Sequence, residues 1–92
     1  MQEEISVYVQ ELFDQQVRKT PHNIALIFED QQISYIELHR RANQLANYLI
    51  SYGVRAEVSV GIYLDRSLEM IVAMLAIMKA GGAYLPLDLS SP

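Results

Sequence analysis

From Met70 to Met78 the chain carries nine residues without a single polar side chain. If that run is helical, it covers every side of more than two turns, so it has to be packed on every side. The flanks say it is helical. Ser67, with Glu69 close behind, offers an N-terminal cap, with Asp65 as a rival for the position. Lys79 supplies the cation favoured at a helix C-terminus, and Gly81 or Gly82 the left-handed residue that stops the helix. Before the run, Val58, Val60, Ile62 and Leu64 fall on every second residue, the spacing that lines one face of a strand. After it, Ala83-Tyr84-Leu85 reads as a second short strand, and Pro86 ends its pairing. Strand, buried helix, strand is a βαβ unit, for which parallel strands and a right-handed crossover are the rule.

The residues upstream supply candidate covers. Ile5, Tyr8, Val9, Leu12, Phe13 and Val17 recur at three- and four-residue spacings, an amphipathic helix that Thr20-Pro21 terminates. Ile24–Phe28 is an apolar run of strand length, Glu29–Gln32 is turn material, and Ile33-Ser34-Tyr35 resumes an extended pattern, so a β-hairpin is expected. Ser34-Tyr35-Ile36-Glu37 has the form of a capping box. The Ser34 hydroxyl accepts from the Glu37 N–H, and the Glu37 carboxylate reaches back to the Ser34 N–H. Leu38, Ala42, Leu45 and Leu49 then mark the buried stripe of a second helix, with Arg40, Arg41, Gln44 and Asn47 outside and Gly53 as its stop. The expected class is α/β: an N-terminal helix, a hairpin, a helix, and the βαβ unit. These elements fall short of enclosing the Met70–Met78 helix while also covering the far face of its sheet. An exposed apolar patch larger than a soluble monomer usually shows is therefore expected.

Three of these segments also carry a family resemblance. Met78-Lys79-Ala80-Gly81-Gly82-Ala83-Tyr84-Leu85-Pro86-Leu87-Asp88 resembles the second core motif of nonribosomal peptide synthetase adenylation domains, L-K-A-G-x-A-Y-[VL]-P-[LI]-D. Ile33-Ser34-Tyr35-Ile36-Glu37-Leu38 resembles the first, L-[TS]-Y-x-E-L. Leu12 to Val17, then Thr20-Pro21 and Ile24-Ala25-Leu26, is similar to the lead-in of such domains, where the Leu-Phe pair docks an incoming linker. The resemblance divides the chain into a docking helix over 1–22 and the start of the domain body over 23–88. Residues 89–92 diverge, since Leu89-Ser90-Ser91-Pro92 stands where the family continues Pro-x-Tyr-Pro.

The resemblance implies an enzyme superfamily that activates a carboxylate with ATP and magnesium, giving an aminoacyl-AMP and pyrophosphate. The aminoacyl group then passes to a carrier-domain phosphopantetheine. It implies the large N-terminal subdomain as the fold, and as partners the remainder of an adenylation domain, with carrier or condensation domains beyond it. The phosphate loop, acidic motifs and catalytic lysine of that family do not match any segment here. Gly81-Gly82 is flanked by alanines and lacks the hydroxyl residues and spacing of a phosphate loop. No catalytic, cofactor-binding or metal-binding residue is therefore assigned. Ser34, Tyr35, Glu37, Leu38, Lys79, Ala80, Gly81, Gly82, Ala83, Tyr84, Pro86 and Asp88 are expected to act as structural motif residues. Asp65 and Arg66, at the end of a strand, are read as a cap and an ion-pair partner. The expectation is a fragment inactive alone, or alternatively a small non-enzymatic protein that binds synthetase partners.

Composition narrows the remainder. A net charge of −4 gives no electrostatic reason to expect nucleic acid or an anionic membrane. The absence of cysteine excludes disulfides and thiolate metal sites. His22 and His39 are read as surface residues rather than as ligands or bases. The apolar run is about half a bilayer span, and Glu3-Glu4 stand where a secretory signal needs basic residues, so a cytoplasmic protein is expected.

Overall fold

The apolar run does form a helix, and most of the other elements contact it. The computed structural model describes residues 2–54, 59–62 and 68–86. In chain order the elements are α1 (Gln2–Lys19), β1 (Ile24–Phe28), β2 (Gln31–Ser34), α2 (Tyr35–Ser51), β3 (Ser59–Ile62), α3 (Leu68–Lys79) and β4 (Ala83–Pro86). Val58, Leu64, the cap candidates Asp65 and Ser67, Arg66 and the motif residue Asp88 lie outside the described residues.

The strands form two separate pairs. β1 and β2 are antiparallel, with Phe28 opposite Gln31 and Ile27 opposite Gln32, and the register slips by one residue between Ile24 and Leu26. The turn is thus shorter than the sequence suggested: Gln31 and Gln32 belong to the strand, leaving Glu29-Asp30 to reverse the chain. Glu29 adopts φ 57°, a left-handed conformation in which a non-glycine residue is uncommon. No Asn-Gly or Asp-Gly pair flagged it. β3 and β4 pair in parallel, with Val60 opposite Tyr84 and Ile62 opposite Pro86. α3 separates them in sequence and contacts both.

Both later helices end in the same device. Gly53 (φ 97°) and Gly81 (φ 89°) take the left-handed conformation just past the helix. The Gly53 and Val54 N–H groups donate to the Ile50 and Leu49 carbonyls at 3.0 and 3.1 Å. The Gly81 and Gly82 N–H groups donate in the same way to Met78 and Ile77 at 3.1 and 3.0 Å. These are Schellman closures, and they settle on Gly81, not Gly82, as the left-handed stop of α3.

The extensive packing is between α2 and α3. Alanines bring the two together: Ala42 and Ala76 have zero exposure, and Ala46 is buried. Ile33, Leu38, Ala42, Leu68 and Leu75 form one buried cluster, against which Phe13, Ala25, Leu26, Phe28, Ile71, Val72 and Met78 are packed. Leu45 and Leu49, expected in the buried stripe of α2, are only half-buried. Among the described residues no large side chain is completely removed from water.

Exposed apolar residues are present among the described residues, while most side chains on the β3–β4 pair, whose far face the sequence left uncovered, lie outside those described. Along α3 the described side chains from Met70 to Met78 are half-buried or buried. The exposed large apolar residues are Tyr8, Val9 and Leu12 on α1, Ile24 and Ile27 on β1, and Ile36, Tyr48, Ile50 and Tyr52 on or next to α2.

Candidate functional site

The chemistry-bearing side chains come together where α1 crosses the C-terminal end of α3 and the first turns of α2. Helical spacing puts Gln10, Phe13, Asp14 and Val17 on one side of α1, and that side faces the body of the protein. Val17 is buried, and Gln10, Phe13 and Asp14 are half-buried. The apolar stripe read from the sequence is therefore split. Tyr8, Val9 and Leu12 point to water, while two polar residues, Gln10 and Asp14, take places on the docked face. Of the Leu12-Phe13 pair, only Phe13 packs against the core cluster; Leu12 is 49% exposed.

Each docked polar residue meets the end of α3. The Gln10 side-chain amide donates to the Met78 carbonyl at 3.0 Å, a second hydrogen bond on an oxygen that already accepts the Gly81 N–H at 3.1 Å. Asp14 Oδ1 stands 3.5 Å from Lys79 Nζ, whose side chain is only 11% exposed. The same ammonium lies 5.7 Å from the Phe13 ring centroid, within cation–π range. Lys79 thus sits at a helix C-terminus, as the motif suggested, and it also reaches across to a second helix.

His39 is the third member of this cluster. It is half-buried, with 29% of its side chain accessible, in contrast to His22, which is exposed. Its Nδ1 is 3.8 Å from Asp14 Oδ1, its Nε2 is 3.0 Å from the Asn43 side-chain nitrogen, and its ring centroid is 6.0 Å from that of Phe13. Asp14 Oδ1 and His39 Nδ1 are both buried, and neither makes a hydrogen bond. Burial pushes the His39 pKa down, the Lys79 charge pushes it further the same way, and Asp14 opposes them. The imidazole is accordingly neutral at neutral pH. The sequence signal that would have found the cluster is the pair Gln10 and Asp14, polar residues spaced with Phe13 and Val17 along one face of α1.

The first motif builds the start of α2. Ser34 is the N-cap, its hydroxyl accepting from the Glu37 N–H at 3.2 Å. The reciprocal half of the expected capping box is replaced. The Glu37 carboxylate accepts from Arg40 Nε at 3.0 and 3.1 Å and from Arg41 Nε at 3.1 Å, the closest contact being with the Arg40 terminal nitrogen. Two guanidinium groups three and four residues on outcompete one backbone N–H, and they hold the Glu37 pKa below the usual carboxylate range, Arg40 first and Arg41 second. The Tyr35 and Ile36 N–H groups donate to the Asn23 and Pro21 carbonyls at 3.0 and 2.9 Å, tying the helix start to the turn after α1. Tyr35 also places its ring 6.2 Å from Phe13, and Leu38 is buried in the core cluster.

The second motif builds the end of α3. Ala80 donates to Ala76 at 2.9 Å, Gly81 and Gly82 close the helix, and Ala83, Tyr84 and Pro86 run into β4 against β3. The N–H groups of the glycine pair are used within the closure, so they cannot cradle a phosphate. Among the described residues no three histidine, cysteine, aspartate or glutamate side chains come together to hold a metal ion. Nor is any helix among them long and apolar enough to cross a membrane.

Known proteins are similar to this chain in sequence and in fold. The profile of the AMP-binding enzyme family matches residues 13–92. Gramicidin S synthase 2 of Brevibacillus brevis is 50% identical over 84 residues, which is 91% of this chain and 2% of that protein. Tyrocidine synthase 3 of Brevibacillus parabrevis is 51% identical over 83 residues, 90% of this chain and 1% of its own length. Among solved structures, the Klebsiella oxytoca NpsA N-terminal subdomain superposes with a TM-score of 0.82 at 34% identity, covering 89% of this chain and 22% of that one. The nonribosomal peptide synthetase FmoA3, in an α-methyl-L-serine-AMP-bound form, gives 0.85 at 40% identity, covering 90% of this chain and 9% of its own. The chain thus spans a small part of the proteins it matches.

Proposed function

This chain belongs to the AMP-binding enzyme family, and we propose that within a nonribosomal peptide synthetase adenylation domain, of which it is a segment, it is scaffold rather than chemistry. The reaction of the intact domain is amino acid plus ATP giving aminoacyl-AMP and pyrophosphate, followed by thioester formation on a carrier-domain phosphopantetheine. ATP, magnesium and the amino acid bind elsewhere in the domain. The remainder of the domain is the first partner of this segment, with carrier or condensation domains beyond it.

The observation that carries this reading is what the motif residues touch. Ser34 caps α2, Lys79 pairs with Asp14 beside the Phe13 ring, and the N–H groups of Gly81 and Gly82 close α3. In each case the polar group is engaged inside the fold. Attack of a carboxylate on an α-phosphate needs donors and a metal aimed at developing charge, and none of these groups is left to provide that. The phosphate-binding residues of the intact domain accordingly lie outside this segment.

The test is amino-acid-dependent ATP–pyrophosphate exchange. The purified chain, with ATP, magnesium and a pool of amino acids, is expected to give no exchange above a no-protein blank. A complete adenylation domain containing it is expected to give exchange with one or a few amino acids. Clear exchange by the chain alone would overturn the scaffold reading.

A further inference from the structure

We infer that Asp14, His39 and Lys79 form a pH-sensitive latch, which holds α1 against the α2–α3 pair while His39 is neutral and releases it when His39 is charged. The inference does not depend on adenylation, because it concerns only how three helices of this chain are joined.

Three elements meet at the imidazole. α1 presents Asp14 at 3.8 Å, α3 presents Lys79, paired with that same carboxylate oxygen at 3.5 Å, and α2 itself presents Asn43 at 3.0 Å. The other charged groups on this part of α2, Glu37, Arg40 and Arg41, are bound to one another on its exposed side. With the Asn43 amide nitrogen donating to Nε2, the ring is neutral and carries its proton on Nδ1, toward Asp14. A second proton would go to Nε2, against the Asn43 donor, and that hydrogen bond would be lost until the amide turned over. It would also place two cations on one carboxylate oxygen in a junction where Nδ1 and Oδ1 are both cut off from water. Burial and Lys79 act against that second charge, and only Asp14 acts for it.

A group that resists protonation where it is buried, and accepts it freely once hydrated, links protonation to opening. Stability from a neutral His39 is fully present above the ordinary histidine pKa. It is lost progressively as pH falls below that value, because the open form then binds the extra proton. The element that opens is α1. Val17 is its one buried side chain among those described, whereas α2 and α3 share the alanine-lined contact and the core cluster.

Amide hydrogen exchange on the full chain at pH 7.5 and pH 5, corrected for the intrinsic pH dependence of exchange, reads the latch directly. At pH 5 the wild type is expected to lose protection across α1 while α2 and α3 keep theirs. His39→Gln should keep α1 protected at both pH values, and His22→Gln, changed at the exposed histidine, should behave like the wild type. Equal loss in His39→Gln, retained protection in the wild type, or loss spread equally over all three helices would each overturn the inference. If His39→Gln does not fold, NMR titration of the wild-type histidine rings decides. α1 opening that follows the His39 resonance supports the latch, and opening that follows only carboxylate titration at lower pH overturns it.

Discussion

At the level of the single residue, Ser34 shows how local chemistry fixes a boundary. Its hydroxyl takes the Glu37 N–H at 3.2 Å, one of four donors that a helix start leaves without an intrahelical partner. Two of the others, Tyr35 and Ile36, are taken by Asn23 and Pro21 carbonyls, so the cap and the preceding turn form one unit. Ser34→Ala is expected to destabilise by about 1 kcal/mol, the usual effect of a lost N-cap. Urea denaturation of a cooperatively unfolding domain that carries this segment checks it, and an unchanged midpoint would show that the cap contributes nothing. The fate of Glu37 was harder to foresee. The serine-to-glutamate spacing that signals a capping box also sets the glutamate one turn before Arg40 and Arg41. The two arginine charges won over the backbone donor.

At the level of the element, α1 separates what periodicity reveals from what it does not. Its existence and its end at Thr20-Pro21 were legible, because both rest on local spacing and on proline sterics. The docked face was not. Hydrophobic spacing grouped Tyr8, Val9 and Leu12 with Phe13 and Val17, of which only the last two dock, and the face against the body is set by what waits there. The end of α3 offers the second lone pair of the Met78 carbonyl and an ammonium, which suit Gln10 and Asp14 better than leucine or valine. Lys79 was legible as a helix-end cation, yet its second role required knowing which element lies across from it. The two neighbouring side chains of the docking pair should therefore behave differently. Phe13→Ala, which removes a half-buried ring from Lys79, His39 and Tyr35, is expected to destabilise by roughly 1–3 kcal/mol. Leu12→Ala should stay within about 0.5 kcal/mol. Thermal melts of the two variants in the same background make the comparison, and equal losses would show that the whole apolar stripe docks.

Across the whole molecule, the α/β class and the parallel pairing of β3 with β4 followed from the order of the elements, and the Met70–Met78 run marked a helix whose side chains there are buried or half-buried. Which of the other elements would carry exposed apolar residues did not follow. Residue patterns show that a helix must be covered without showing which neighbours do it. Here α2 makes the main contact with α3, α1, β3, β4 and β1 add to it, and Ile24, Ile27, Tyr48 and Ile50 are left in water. On the scaffold reading, the motifs of this segment hold the adenylation domain together and take no part in its chemistry. Lys79 puts that reading most at risk, since a motif lysine in an ATP-using enzyme is the natural candidate for a catalytic one. The decisive measurement is ATP–pyrophosphate exchange per folded molecule, alongside the melting temperature, for Lys79→Met in a complete adenylation domain containing this segment. The ion pair with Asp14 and the contact with Phe13 together predict a loss of about 1 kcal/mol in stability, with exchange per folded molecule within about twofold of the unaltered domain. An unchanged melting temperature with exchange reduced a hundredfold or more, about 2.7 kcal/mol in the barrier, would contradict the scaffold reading and make Lys79 a catalytic residue.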